Sequence, residues 1–190
     1  MKVSFLENTP FAVRFSVSGI GAAEANALRR IAMGSVPTFA IDSVTFYENT
    51  SAMFDEYLAH RIGLVPIITP SKGYDEKDEI MFSLEAEGPC TVYSSDLKST
   101  DKSVKVANEK IPLIKLAEGQ RIKLEGKAVM RTGSKHAKFQ PGLATYKQLD
   151  NGDYEFYVES FGQMPAPEIV NKALAILAKQ LKEVHDLLKK

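Results

Sequence analysis

A single cysteine, Cys90, is the whole thiol inventory of these 190 residues. That excludes an internal disulfide and any zinc or iron–sulfur site built from several thiolates, and it suits a reducing compartment. An excess of charge is also missing, because 24 Lys and Arg stand against 24 Asp and Glu. A domain that grips nucleic acid by its phosphates usually carries a basic surplus, so direct DNA contact is not expected. No run of about 18 apolar residues occurs, so no membrane span is expected. The start, Met1-Lys2-Val3-Ser4-Phe5, lacks the apolar stretch of a secretory signal. These absences predict a cytoplasmic protein of one large or two small domains, long enough to bury a core without staples.

Catalytic groupings are equally scarce. Nothing combines a nucleophile, a base and an orienting group, and Gly19-x-Gly21 lacks the third glycine of a dinucleotide loop. Asp75, Glu76, Asp78 and Glu79 lack the spacing of a calcium loop and read as a solvated turn. No Asp-x-Asp-x-Asp run offers the carboxylates that hold two magnesium ions for phosphodiester chemistry. His60 and Arg61 are adjacent, and the simplest reading puts His60 at a helix end, with its ring on local carbonyls. Arg131, Lys135, His136 and Lys138 form a basic run that suits a solvated turn or contact with a phosphate or an acidic partner surface. Cys90, after Gly88-Pro89, reads as a small buried or half-buried residue.

What the chain does have is patterning. Val3 and Phe5, then Phe11, Val13, Phe15 and Val17, alternate with period two and predict a strand pair around Asn8-Thr9-Pro10. A helix follows over about 22–35. Its face of Ala25, Leu28, Ala32 and Ser35 is mostly small, and Pro37 stops it. Phe39 to Tyr47 alternates again. Thr50-Ser51 reads as the start of a second helix, with Asp55 and Glu56 in its early turns and an end near Gly63. Short extended pieces come next, at 64–68, 80–86, 91–94, 104–106, 111–116 and 121–131. Asn151-Gly152 predicts a type I′ hairpin turn ahead of the alternating run 154–160.

The last 26 residues predict a long amphipathic helix. Val170, Leu174, Leu177, Leu181, Val184 and Leu188 step by four and three residues, a heptad-like seam. Pro165 and Pro167 sit at its start, where a missing amide hydrogen costs little. Two readings stand: the whole stripe covers the chain's own sheet, or part of it meets a partner.

Several segments resemble a known family. Asn26-Ala27-Leu28-Arg29-Arg30-Ile31 with its Val36-Pro37 exit, and Ala59-His60-Arg61-Ile62-Gly63-Leu64-Val65-Pro66, are similar to the D-type subunits of archaeal DNA-directed RNA polymerase. That family is akin to the amino-terminal domain of bacterial alpha and to the eukaryotic third-largest subunit. Glu87 to Leu97, His136-Ala137-Lys138-Phe139-Gln140-Pro141 and Val158-Glu159-Ser160-Phe161-Gly162 extend the resemblance in order along the chain. It implies an α+β, discontinuous two-domain chain. A dimerisation domain of sheet and long helices would comprise 1–48 and 149–190, with a mixed β-rich insert at 49–148.

The resemblance further implies a non-catalytic assembly subunit, with the nucleotidyltransferase site in other subunits. It would pair with the small subunit L and carry the second-largest and largest subunits, with the small subunits N and P docking as well. The implied partner face comprises Leu28, Arg29, Arg30, Ile31, Ala32, Val170, Leu174, Leu177, Leu181, Val184 and Leu188. Large-subunit contact candidates are His60, Arg61, Lys135, His136 and Lys138. Many relatives carry a Cys-rich iron–sulfur segment before the Val-Glu-Ser-Phe-Gly strand. Here only Asp150-Asn151-Gly152-Asp153 stands there, so no cluster and no other cofactor is expected. The rival expectations are a stand-alone homodimeric scaffold and a small enzyme using the insert.

Overall fold

The computed structural model describes residues 1–189 and is α+β. Contacts divide it into two compact units, residues 1–37 with 132–190 and residues 38–131. These bounds differ from the expected 48 and 149 because the strand over Pro37–Asn49 joins the sheet of the second unit and the segment just before 149 pairs with the strand just after it.

The first unit is a four-stranded antiparallel sheet with two helices on one face. Its strands are β1 (Lys2–Asn8), β2 (Ala12–Ser18), β9 (Gly142–Gln148) and β10 (Tyr154–Ser160), in the order β1-β2-β10-β9. Period-two alternation puts Val13, Phe15 and Val17 opposite Val158, Phe156 and Tyr154. Phe15 and Phe156 stack with ring centroids 5.1 Å apart. The helix α1 (Ala22–Gly34) covers this face with Ala25, Leu28, Ile31 and Ala32. Its start is fixed by Glu24, whose carboxylate accepts the Gly21 N–H at 3.0 Å and places negative charge where the dipole favours it. Gly133 permits the next chain segment to lie on the end of α1, since a Cβ there would run into the Met33 carbonyl oxygen.

The turn between β9 and β10 is not type I′. Only Gly152 has positive φ, 85°. The Gly152 N–H donates to the Leu149 carbonyl, and the Leu149 N–H to that of Asp153. This is a turn of type I kind closed by a left-handed glycine, which needs one glycine rather than two permissive residues.

The helix α3 (Ala166–Leu188) runs 23 residues, about 34 Å at 1.5 Å per residue. Only Ala166, Ile169 and Ala173 are fully buried. Val170, Ile176 and Leu177 are half-buried, and every residue from Ala178 to Lys189 is exposed. The stripe is therefore shared: its first half packs on the sheet and its second half is bare.

The second unit holds β3 (Pro37–Asn49), α2 (Asp55–Gly63), β4 (Glu79–Glu87), β5 (Cys90–Tyr93), β6 (Lys98–Ser99), β7 (Pro112–Leu116) and β8 (Arg121–Thr132). One sheet has the order β3-β8-β4-β6 and a ribbon pairs β5 with β7. Phe39, Ile41, Leu58, Ile62, Phe82 and Leu124 lie in its core. The other side of the β4–β8 ladder is charged, with Lys123–Glu85 at 3.1 Å and Lys127–Glu79 at 3.0 Å.

Three local expectations change here. The helix α2 begins at Asp55, not at Thr50-Ser51, because Asn49 organises those residues into a turn. Its Oδ1 accepts from the Ser51 N–H and hydroxyl, and its Nδ2 donates to the Met53 carbonyl and to Asp55. The 104–106 stretch makes no strand, only a single bridge of Val106 to Ile67. Cys90 is exposed rather than buried: it shares a side with the buried Val92 but stands at the open end of a four-residue strand in a two-stranded ribbon.

Candidate partner-binding groove

The sheet of the first unit is one strand wider than its helical cover. Val3 and Phe5 pair with Val17 and Phe15 and so face the side on which the helices lie. Yet they remain 52% and 64% exposed while their β2 partners are buried. A groove of about 320 Å³ results. Its floor is Val3, Phe5, Phe15 and Val17; Ile20, Glu24 and Leu28 form one wall, and Val170, Leu174 and Leu177 the other. Glu24 is the single charged side chain among them. Beyond the groove α3 continues with Leu181, Val184, Leu187 and Leu188 at 62%, 55%, 67% and 82% exposure. Exposed apolar residues scattered singly are ordinary, but a contiguous strip marks an interaction surface.

The expected partner residues fall into three groups. Leu28, Val170, Leu174 and Leu177 line the groove, and Leu181, Val184 and Leu188 extend it along α3. Ile31 and Ala32 are instead buried in the unit's own core, at 8% and 2% exposure. Arg29 and Arg30 point to a separate cleft of about 530 Å³, lined also by Gly133, Ser134, Gln140 and Gln180. Arg29 is oriented by Asn26 Oδ1, which accepts from its Nε at 3.2 Å and its Nη2 at 2.9 Å. Arg30 is exposed.

The remaining candidates lie on or beside two different elements. His60 is exposed in the last turn of α2. Arg61 donates to the carbonyls of Leu113 at 2.9 Å and Pro112 at 2.6 Å, so its guanidinium ties α2 to β7. Lys135 and His136 are exposed, and His136 Nδ1 accepts the Lys138 N–H at 3.1 Å, capping a short 3-10 turn at Ala137–Phe139. The Lys138 ammonium lies 5.2 Å from the centre of the Phe139 ring. The acidic turn is occupied with its own backbone, Asp78 accepting from the Asp75 N–H and Asp75 from that of Lys77.

Sequence reasoning missed Val3, Phe5, Glu24 and Leu187. The alternation of β1 marked Val3 and Phe5 as inward-facing. That the helices stop one strand short is a property of the assembled layers, with no local signal in the sequence.

Comparison with known proteins agrees with the resemblance. The family model described as the RNA polymerase Rpb3/RpoA insert domain matches residues 33–145, more than half of the chain. DNA-directed RNA polymerase subunit Rpo3 of Methanocaldococcus jannaschii is 54% identical over 152 residues, covering 80% of this chain and 78% of that one. The Rpo3 of Thermococcus kodakarensis is 48% identical over 155 residues, covering 78% of this chain and 60% of the relative's length. The Rpo3 of Halobacterium salinarum is 44% identical over 167 residues, covering 85% and 67%. The chain belongs to the Rpb3/RpoA family of DNA-directed RNA polymerase subunits, alongside the archaeal Rpo3 proteins.

Proposed function

We propose that this chain joins the small polymerase subunit L through the groove and the bare half of α3, and that the pair then receives the second-largest and largest subunits. The chain is a non-catalytic assembly subunit of DNA-directed RNA polymerase, whose active site lies in other subunits. One observation supports the assignment of the face: the sheet and α3 overhang each other's cover on the same side, leaving Val3, Phe5, Leu174, Leu181 and Val184 about half exposed or more. Fully burying such a side chain is worth about 1.5–3 kcal/mol, so several together suffice to hold a stable partner.

Subunits N and P dock on the same assembly in this reading. Arg29 and Arg30, with their own cleft, and the exposed His60, Lys135 and His136 are left for the larger subunits. Arg61 and Lys138 hold local structure at those surfaces. The protein works in the cytoplasm and carries no iron–sulfur cluster, because a lone exposed thiol cannot ligate one. No helix among the described residues is long and apolar enough to cross a membrane.

Co-expression with the L subunit of the same genome tests the face. Leu181→Glu with Val184→Glu alters only residues outside the core, so the variant folds and loses L in a pull-down. Retention of L by the folded variant would exclude α3 as the interface. A second copy of this chain in the groove is the rival occupant, and light scattering of the chain with and without L separates the two.

A further inference from the structure

On the groove face of α1, Glu24 and Leu28 lie one helical turn apart, with Ile20 in the segment just before the helix. A carboxylate thus interrupts a mostly apolar surface: no Lys, Arg or His side chain lines the groove with it, and although Met1 lies at its edge with Asn171, no ion pair joins the Met1 amino group to Glu24 among the described residues. Glu24 has no ion-pair partner among the described residues. It also cannot easily swing away, because its Oε2 holds the Gly21 N–H at 3.0 Å.

An occupant that covers this wall strips water from the carboxylate. Doing so against an apolar surface is unfavourable, and doing so against a cation is not. Resting on the docking reading above, we propose that Glu24 is a specificity residue: it makes the groove take a different chain, one that brings a Lys or Arg to this point, in preference to a second copy of this one.

The second copy fails for a reason visible on α3. Its exposed seam of Leu174, Leu181, Val184 and Leu188 is flanked by Ala178, Gln180, His185 and Leu187. Lys182 and Lys179 lie about 100° and 160° round the helix from Leu181 at 100° per residue. A second copy laying its seam in the groove therefore sets leucine, and no Lys or Arg, against Glu24. Placing an uncompensated charge against the wrong partner is a recognised route to selectivity.

Glu24→Gln tests this without disturbing the helix start, since a glutamine oxygen accepts the same Gly21 N–H. Thermal melts of both proteins check that the fold is kept. Sedimentation equilibrium of each alone should show self-association strengthened about two- to fivefold in the variant, the effect of one exposed charge. Calorimetric titration with the L subunit should show affinity falling by a similar factor. Unchanged self-association overturns the proposal. Weakened self-association does so too, because it means that a cation of the second copy serves Glu24. If the wild type binds no L at all, the partner assignment fails instead, and the self-association arm still decides the role of Glu24.

Discussion

Leu181 and Val184 offer a clean separation of assembly from folding. They are 62% and 55% exposed on the bare half of α3, so truncating both to Ala should change the stability of the free chain by less than about 0.5 kcal/mol. Against L the arithmetic differs. Full burial of each side chain is worth about 1.5–3 kcal/mol, and a little over half of each surface remains to be covered. The double variant should therefore lose roughly 2–3.5 kcal/mol of binding, or about 30- to 400-fold in Kd. Ile169→Ala on the same helix provides the converse control. Ile169 is 1% exposed, and its truncation should cost about 2–5 kcal/mol of stability while removing no group from the proposed interface. The assay is calorimetric titration with L, paired with urea unfolding of each chain alone. If the Leu181/Val184 variant binds L as tightly as the wild type, or unfolds as readily as the Ile169 variant, the division of α3 into a packed half and a docking half is refuted.

Gly133→Ala should destabilise the first unit by about 1–3 kcal/mol, because its Cβ meets the Met33 carbonyl; an unshifted melting temperature would show that the segment yields freely. Tyr74 donates to Asp101 at 2.9 Å, and this bond is the leading cause that raises the Tyr74 pKa above the ordinary tyrosine value. Its contribution to stability is fully present below the unfolded tyrosine pKa and is lost as pH rises through the folded one. Asp101 is lowered, first by the Ser103 N–H and then by Tyr74, so its contribution is present above the unfolded carboxylate value and is lost as pH falls through the folded one. Asp101→Ala should shift one tyrosine's ionisation back towards the ordinary range in tyrosinate absorbance; an identical titration would remove that account. Elemental analysis of the purified chain should find no stoichiometric iron or zinc, and one equivalent of either would contradict the reading of Cys90.

Periodicity carried much of the architecture. The alternation of Val13, Phe15 and Val17 gave an inward face, and the small-residue face of α1 gave a helix ending just before Pro37. The seam of α3 was legible as apolar but not as half-covered, because a heptad pattern records what wants burial and not what is at hand to bury it. Local competition explains the smaller misses. Asn49 captures the backbone groups ahead of α2 before Thr50 and Ser51 can, and a single left-handed glycine turns the 149–153 hairpin, with Asn151 bracing Asp153 through its side chain rather than supplying a second positive φ. Cys90 was misjudged because a β context does not say how far a core reaches along a strand, and it covers Val92 but not the strand's first residue. Of the groove, Leu28 and the seam leucines were readable from helical spacing. Glu24 was not, since a first-turn acid is fully explained by capping until the neighbouring walls are seen.

The outermost strand, β1, carries its own safeguard. Its ladder with β2 slips between Phe5 and Glu7, leaving Leu6 as an extra residue that kinks the rim. Lys2 and Glu7 put opposite charges on either side of the apolar stretch. A flat, greasy rim would recruit strands from other copies of the chain while it waits for its companion. The kink leaves only a few residues in straight register for such recruitment, so a newly made chain can stay unpaired for a time without stacking into sheets.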